Sequence, residues 1–362
     1  MRNVIAAAIV IALSACGGGT PAPKPAEPAP PALHLSPIDD LVPAAGLSWL
    51  GVARPREIAQ RADLIPAIHE LVGEDRFDAF AAHNGGVDLR ELDELAVARY
   101  AGSTLYLARG RIDPARVEAA LAAHLVNVDG RAIDRKGGGN GGGAGDRIVR
   151  TWGGAADGRE QLAIFGTFAV GLEQGKLAPL RAAELFAEQR LKRAAPARRT
   201  ALLARASSLA GDAPLLGFAP GPFDAEWSRG LGGLLAATTA IAIAIRFPPP
   251  AAADAASPAK APALLTLVLL GGWGTDAPAA ADRLLSVWNT MGATALGRLC
   301  AVDRPLAAAR ARTEPDALVL EVTLDTLAAT RGLHAAIDAQ VDEMMRYGAP
   351  HATAPLTPVP KQ

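Results

Sequence analysis

From Leu47 onward the chain switches repeatedly between two hydrophobic periods, one of two residues and one of three to four. Residues 47–53 form a short apolar run bounded by polar and glycine-containing segments, which predicts a buried strand. Ile58, Ala62, Ile65, Ile68 and Val72 then recur at helical spacing, predicting a helix over 56–72 that Pro66 kinks or breaks. Asp88, with Glu91 three residues on, reads as a helix start. Residues 95–100 and 104–109 predict strands paired across Ala101-Gly102-Ser103. Asp113 and Pro114 open a further helix, whose Val117, Leu121, His124 and Leu125 share a face. Strands follow at 147–152, 161–165 and 168–173, and a helix from 177 to about 193 closes the half.

The second half repeats this order. Leu215-Leu216-Gly217-Phe218-Ala219-Pro220 answers Trp49-Leu50-Gly51-Val52-Ala53-Arg54 position by position in character. Phe223, Trp227, Leu231 and Leu234 lie on one helix face, which Gly230, Gly232 and Gly233 weaken. Within 238–247, Ile241, Ile243 and Ile245 alternate with alanine, the period of a strand, and 263–270 is its antiparallel partner. Asp276, with Pro278 close behind, opens a helix bearing Ala281, Leu284, Leu285 and Trp288. Residues 307–312 and 317–324 predict a second hairpin, and a last helix carries Leu333, Ile337, Val341 and Met344. The shared order predicts an α+β fold of two similar halves arisen by internal duplication. Each half is expected to be a mainly antiparallel sheet with helices packed on one face.

Composition sets the domain boundaries. Half of the 362 residues are hydrophobic, enough for real cores, yet only 8 Phe, 5 Trp and 3 Tyr contribute aromatic volume. Packing must therefore rest on alanine and aliphatic side chains. Seven prolines fall between Pro21 and Pro37, so 16–37 reads as an extended tether that cannot bury enough surface to fold. The first α+β domain is placed at 38–195, with a glycine-rich loop at 137–145. The second is placed at 196–348, with a Pro/Ala-rich loop at 248–262, and 349–362 is a flexible tail. The glycine-rich loop lacks the Gly-Lys-Ser/Thr of a phosphate-binding loop and leads into a strand.

The first sixteen residues carry a different pattern. Arg2 precedes an apolar run from Val4 to Ala12, too short to span a bilayer, and Leu13, Ser14 and Ala15 then lead into Cys16. This resembles the lipobox of bacterial lipoproteins, which signal peptidase II cuts before the cysteine. The resemblance implies a signal peptide over 1–15, recognition through Leu13, Ser14 and Ala15, and lipid on Cys16. More than one long acyl chain makes release from the membrane very slow, so the membrane becomes a partner through that lipid alone. Gly17, rather than Asp, after the cysteine points to the outer membrane of the cell envelope. The body, through Gly-Val-Asp-Leu-Arg at 86–90 and Ala-Arg-Gly-Arg-Ile-Asp at 108–113, is similar to lipoproteins of high-GC, myxobacterial-type genomes, which bring no activity with them.

Charge and candidate chemistry narrow the function. A formal charge of −1 gives no field to attract nucleic acid. The one basic concentration, Arg190, Lys192, Arg193, Arg198, Arg199 and Arg205, reads as a solvated helix surface, with an anionic partner as the alternative. With Cys16 committed to lipid, Cys300 is a lone thiol that reads as a small buried apolar side chain, an intermolecular disulfide being the alternative. No Gly-x-Ser-x-Gly, Ser-x-x-Lys, His-Glu-x-x-His or Cys-x-x-Cys occurs. His69, His83 and His124 could meet near Asp88 as metal ligands, although helix-surface and turn histidines are far commoner and His83-Asn84-Gly85-Gly86 reads as a turn. Asp88, Glu91, Asp93 and Glu94 cluster without the alternate-oxygen order of a calcium loop, so capping and solvation explain them. The expectation is a structural or interaction lipoprotein of the envelope, without cofactor or metal, with an envelope protein as partner. A carrier of a lipophilic ligand, using the Ile241, Ile243 and Ile245 face, is the alternative, and an envelope enzyme the third reading.

Overall fold

The computed structural model describes residues 33–129, 134–136, 148–155, 158–175, 178–191, 194–224, 227–249 and 261–347. The expected signal peptide over 1–15, Cys16 and the expected tether up to residue 32, the glycine-rich loop, most of the Pro/Ala-rich loop and the tail therefore lie outside the described residues. The described strands are β1 (Leu47–Ala53), β2 (Glu94–Tyr100), β3 (Ser103–Arg109), β4 (Asp134–Lys136), β5 (Ile148–Ala155), β6 (Gly158–Phe165) and β7 (Ala169–Gly175) in the first half. The second half supplies β8 (Leu215–Pro220), β9 (Thr238–Arg246), β10 (Pro262–Gly271), β11 (Ala307–Glu314) and β12 (Ala317–Asp325). All join one antiparallel sheet in the order β11-β12-β10-β9-β8-β1-β2-β3-β7-β6-β5-β4. The order reads outward from the β1–β8 pair in matching fashion on both sides, with β4 and β5 lengthening the first half. Two halves thus share a single sheet.

The helices are α1 (Pro55–Ala59), α2 (Ile65–Leu71), α3 (Glu74–His83), α4 (Pro114–Asp129) and α5 (Ala178–Ala187), followed by α6 (Ala201–Ala210), α7 (Ala277–Ala293), α8 (Ala295–Leu299) and α9 (Thr326–Tyr347). One face of the sheet is covered along its length by α5, α6 and a 3₁₀ turn at Ile38–Leu41. Here Ala240, Ala242 and Ala244 of β9 are fully buried under Leu203, Ala206 and Ala210 of α6. Small side chains on both elements let the helix approach the sheet closely, which is how a chain poor in aromatics fills its interior. Each fully buried leucine of this core contributes roughly 1.5–3 kcal/mol.

The opposite face has cover at its two ends. Leu267, Leu269, Leu318 and Leu320 pack against Leu284 and Trp288 of α7. Leu162, Ile164 and Ala108 pack with Val117 of α4 and with Val87 and Leu92. The expectation of helices on one face is thereby corrected. β10 and β12 are apolar at successive positions, so both of their faces leave water, and one layer of helices cannot cover two faces.

Other differences have local causes. The helix expected over 56–72 is two, α1 and α2, and Pro66 sits in the first turn of α2 where its missing N–H is harmless. Asp88 accepts from the Arg90 amide as expected, but the turn it caps is a short 3₁₀ segment. Asp276 precedes α7 without making a side-chain cap bond. The face carried by Phe223 to Leu234 is a 3₁₀ segment broken at Gly230–Gly233, where Leu231 and two glycines take left-handed backbone angles. The helix expected to reach residue 193 ends at Ala187. Three helices, α3, α6 and the short α8, have no counterpart in the hydrophobic pattern.

Candidate functional site

Between the two end cores, the centre of the second face lies open. Register places Leu267, Ile243, Gly217, Gly51, Val97 and Tyr106 in one row across the strands on this face. Trp49, two residues before Gly51, lies on the same side, and a Cβ at position 51 would stand 3.6 Å from its ring. The indole therefore rests on a floor without side chains. Trp49 and Ile243 are each 44% exposed and Tyr106 is 36% exposed, whereas their neighbours Leu50, Ala242 and Leu105 on the other face are closed from solvent. Ile241 and Ile245 are half-buried beside them. The result is a largely apolar strip, with exposed Arg99 opposite Trp49, that has a glycine floor and helix-covered flanks, of the kind that marks an interaction surface.

A second, polar feature lies at one end of the central strands. Arg54 after β1, Pro214 before β8, Arg246 at the end of β9 and Leu264 in β10 surround a cavity of about 350 Å³, with Glu57, Ile58 and Arg61 closing it from the side of α1. Arg54 pairs with Glu57 at 2.7 Å and Asp212 at 2.8 Å. Arg61 pairs with Asp63 and donates to the carbonyls of Phe247 and Pro248. Its hydrogen bonds hold the Asp63 carboxyl below the usual range. Arg246 has no ion-pair or hydrogen-bond partner among the described residues, and its Nε is closed from solvent.

Ion pairs also clip the start of the body to the middle of the chain. Asp39 meets Arg198 at 3.1 Å and Asp40 meets Arg199 at 3.1 Å. Burial raises the Asp39 carboxyl above its ordinary value in spite of Arg198. Tyr100 donates its hydroxyl to the Pro43 carbonyl at 2.8 Å within the core, and burial, with Glu173 adding to it, raises its phenol.

The residues singled out from sequence are distributed as follows. Leu13, Ser14, Ala15 and Cys16 lie outside the described residues, as do Lys192, Arg193 and the side chain of His124. His69 is on α2, and His83 ends α3 with Nδ1 2.7 Å from the Ala79 carbonyl oxygen. Asp88 is tied to Arg90, whose guanidinium also meets Asp78. Among the described residues no group of three or more His, Cys, Asp or Glu could hold a metal ion. Asp93 and Glu94 are paired with Arg56 and Arg109 rather than merely solvated. Arg198 and Arg199 belong to a 3₁₀ turn, while Arg205 on α6 pairs with Asp316 at 2.7 Å. Cys300 is half-buried after α8, and burial raises its thiol.

No protein-family model matches the chain, and no curated protein matches it. A solved structure titled "Structure of crystal form I of TP0453" is similar at 13% identity with a TM-score of 0.44, covering 85% of this chain and 98% of that one.

The open strip and the arginine cavity escaped the sequence reading for the same reason. Trp49, Tyr106 and Ile243 are ordinary strand residues until strand order brings them side by side. Arg54, Arg61 and Arg246 become neighbours only through the β1–β8–β9 pairing. The alternation of Ile241, Ile243 and Ile245 was the one visible signal.

Proposed function

We propose that this protein is a lipid-anchored envelope protein with a non-enzymatic interaction role, tethered through Cys16 at the outer membrane and engaging an envelope protein partner. The observation that carries the reading is the open apolar strip around Trp49, Tyr106 and Ile243. Contiguous apolar surface on a soluble body is costly to leave in water and typical of a docking face. Leu13 to Cys16 support the anchor, and among the described residues no helix is long and apolar enough to cross a membrane, so that lipid would be the attachment. A photo-crosslinking residue at position 106 in native envelopes is expected to give a discrete protein adduct. Recovery of the chain alone, in repeated experiments, would overturn the reading.

A second reading is favoured by one feature of the same face. The Ile241, Ile243 and Ile245 row extends the apolar face along β9, with β8 between it and the β1 that carries Trp49, which suits an acyl or other lipophilic ligand. Native mass spectrometry of the gently extracted chain separates the two, because a carrier retains an apolar mass.

The matching strand order on either side of β1–β8 supports an origin of the two halves by duplication. Gly51 and Gly217, equivalent by sequence, are paired with each other, and Leu50↔Phe218 mirrors Val52↔Leu216. That reciprocity is what a two-fold relation between copies requires.

A further inference from the structure

The cavity at the end of the central strands has a charge pattern that the interaction strip does not use. Three guanidiniums, of Arg54, Arg61 and Arg246, and two carboxylates, of Glu57 and Asp212, line it. Arg54 is held by Glu57 and Asp212, and Arg61 by Asp63 and two backbone carbonyls. Arg246 is the lining guanidinium that no carboxylate meets among the described residues. Its Nε, like that of Arg54, is shut from water with no hydrogen-bond acceptor, so a ligand in the cavity would meet the Nη end of its guanidinium. Gly211, at φ +75°, brings the backbone close to its Nη1, where a Cβ would stand 3.2 Å away, so the chain itself makes room for the guanidinium at that point.

We propose that this cavity binds a monoanionic carboxylate carrying a small apolar body, with Arg246 as the recognising cation. The guanidinium fork matches a planar carboxylate in two parallel hydrogen bonds. Glu57 and Asp212 repel a second negative charge, which disfavours phosphate dianions. Ile58, Phe247 and Leu264 supply apolar walls for the remainder of the ligand. The volume suits a small molecule or the last residues of a peptide. The carboxylate comes either from a free acid or from a polypeptide C-terminus.

The test uses the full chain in non-ionic detergent and isothermal titration calorimetry. The probes are hexanoate against hexanamide, and N-acetyl-dialanine against its C-terminal amide. Saturable binding of an acid without binding of its amide is expected, hexanoate alone indicating a free acid and acetyl-dialanine alone a peptide end. Arg246→Met is expected to weaken that binding at least about tenfold, and Arg246→Lys less. In the unmodified protein, the acid and not the amide is expected to protect Arg246 from an arginine-selective dicarbonyl reagent, read by peptide mass mapping, which needs no variant to fold. Equal behaviour of acids and amides, or protection absent at saturating acid, would overturn the proposal.

Discussion

Gly51 and Gly217 face each other across the β1–β8 pair, at the middle of the twelve-stranded sheet and at the floor of its open strip. On one side of the sheet their strands carry Leu50 and Phe218 into the core; on the other the two glycines leave bare backbone beside Trp49. The same pair thus marks the junction of the halves and the lowest point of the open strip. A floor of two glycines keeps the Trp49 ring against the backbone, so the strip's shape depends on what these residues lack.

Neither glycine needs its conformational freedom, since neither has a positive φ. A Cβ at 51 or 217 would meet its nearest neighbour at 3.6 or 3.9 Å, ordinary contact distances. Gly217→Ala is therefore expected to raise stability by about 0.5–1 kcal/mol through the unfolded chain. Differential scanning calorimetry reads this as a small rise in Tm, and a fall would mean that the floor is tighter than these distances allow.

The Tyr100 hydroxyl ties β2 to the entry segment through the Pro43 carbonyl. Tyr100→Phe leaves the ring in the core and strands that buried carbonyl, at an expected cost of about 1–2 kcal/mol. Urea unfolding should show the lower midpoint at unchanged m-value. Ala at the same position would add a cavity and cost several times more.

Acid should act through identifiable carboxylates. Asp63 and Asp88 are held below the usual range by hydrogen bonds from Arg61 and Arg90. Their contribution is complete above the unfolded-chain value, about 3.9, and is lost as pH falls through their lowered folded values. Asp39 runs the other way: burial raises it, so its share of stability declines as pH climbs from the unfolded value through the raised folded one. Calorimetric Tm is expected to drop on acidification below about pH 4. Asp63→Asn should flatten that drop, while Asp39→Asn should soften the loss on the neutral side.

The sequence pattern located all but one of the strands, β4 being missed, because alternation and apolar runs are local. β8, bounded at Leu215 and Pro220, and the hairpin of β2 and β3 agree almost to the residue. It missed α3, whose EDRFDAFAAH carries few large apolar side chains, and α6, whose ALLARASSLA buries mostly alanine. In α6 the stripe of Leu203, Ala206 and Ala210 has helical spacing, but two of its three members are alanines that give little hydrophobic contrast. Cover on both faces was hidden because strand order decides which apolar face remains open. The partners of Arg198, Arg199 and Arg205 were hidden because Asp39, Asp40 and Asp316 lie far away along the chain.

The anchor can be tested without reference to the body. Cys16→Ser removes the thiol that the lipobox resemblance assigns to acylation. Radiolabelled palmitate should mark the wild-type chain and not the variant, and the variant should move from the membrane pellet to the soluble envelope fraction. Retention of the variant in the pellet would transfer the attachment to the body, with the open strip as the first place to look.

Adjacent residues of β9 separate the open face from the core. Ile243 is 44% exposed on the strip, while Ala242 points the other way and is fully buried under α6. Ile243→Ser is expected to cost about 1 kcal/mol or less and to abolish crosslinking from position 106. Ala242→Leu should cost about 1–3 kcal/mol by overpacking yet leave the crosslink in the molecules that remain folded. If Ile243→Ser leaves the adduct unchanged, the partner does not sit on this strip. If both variants lose it in proportion to their loss of stability, the adduct depends on folding alone and Ile243 makes no contact of its own. Only a loss confined to the less destabilising substitution identifies the face by which the protein binds, because burial and exposure alternate here at a single residue's spacing.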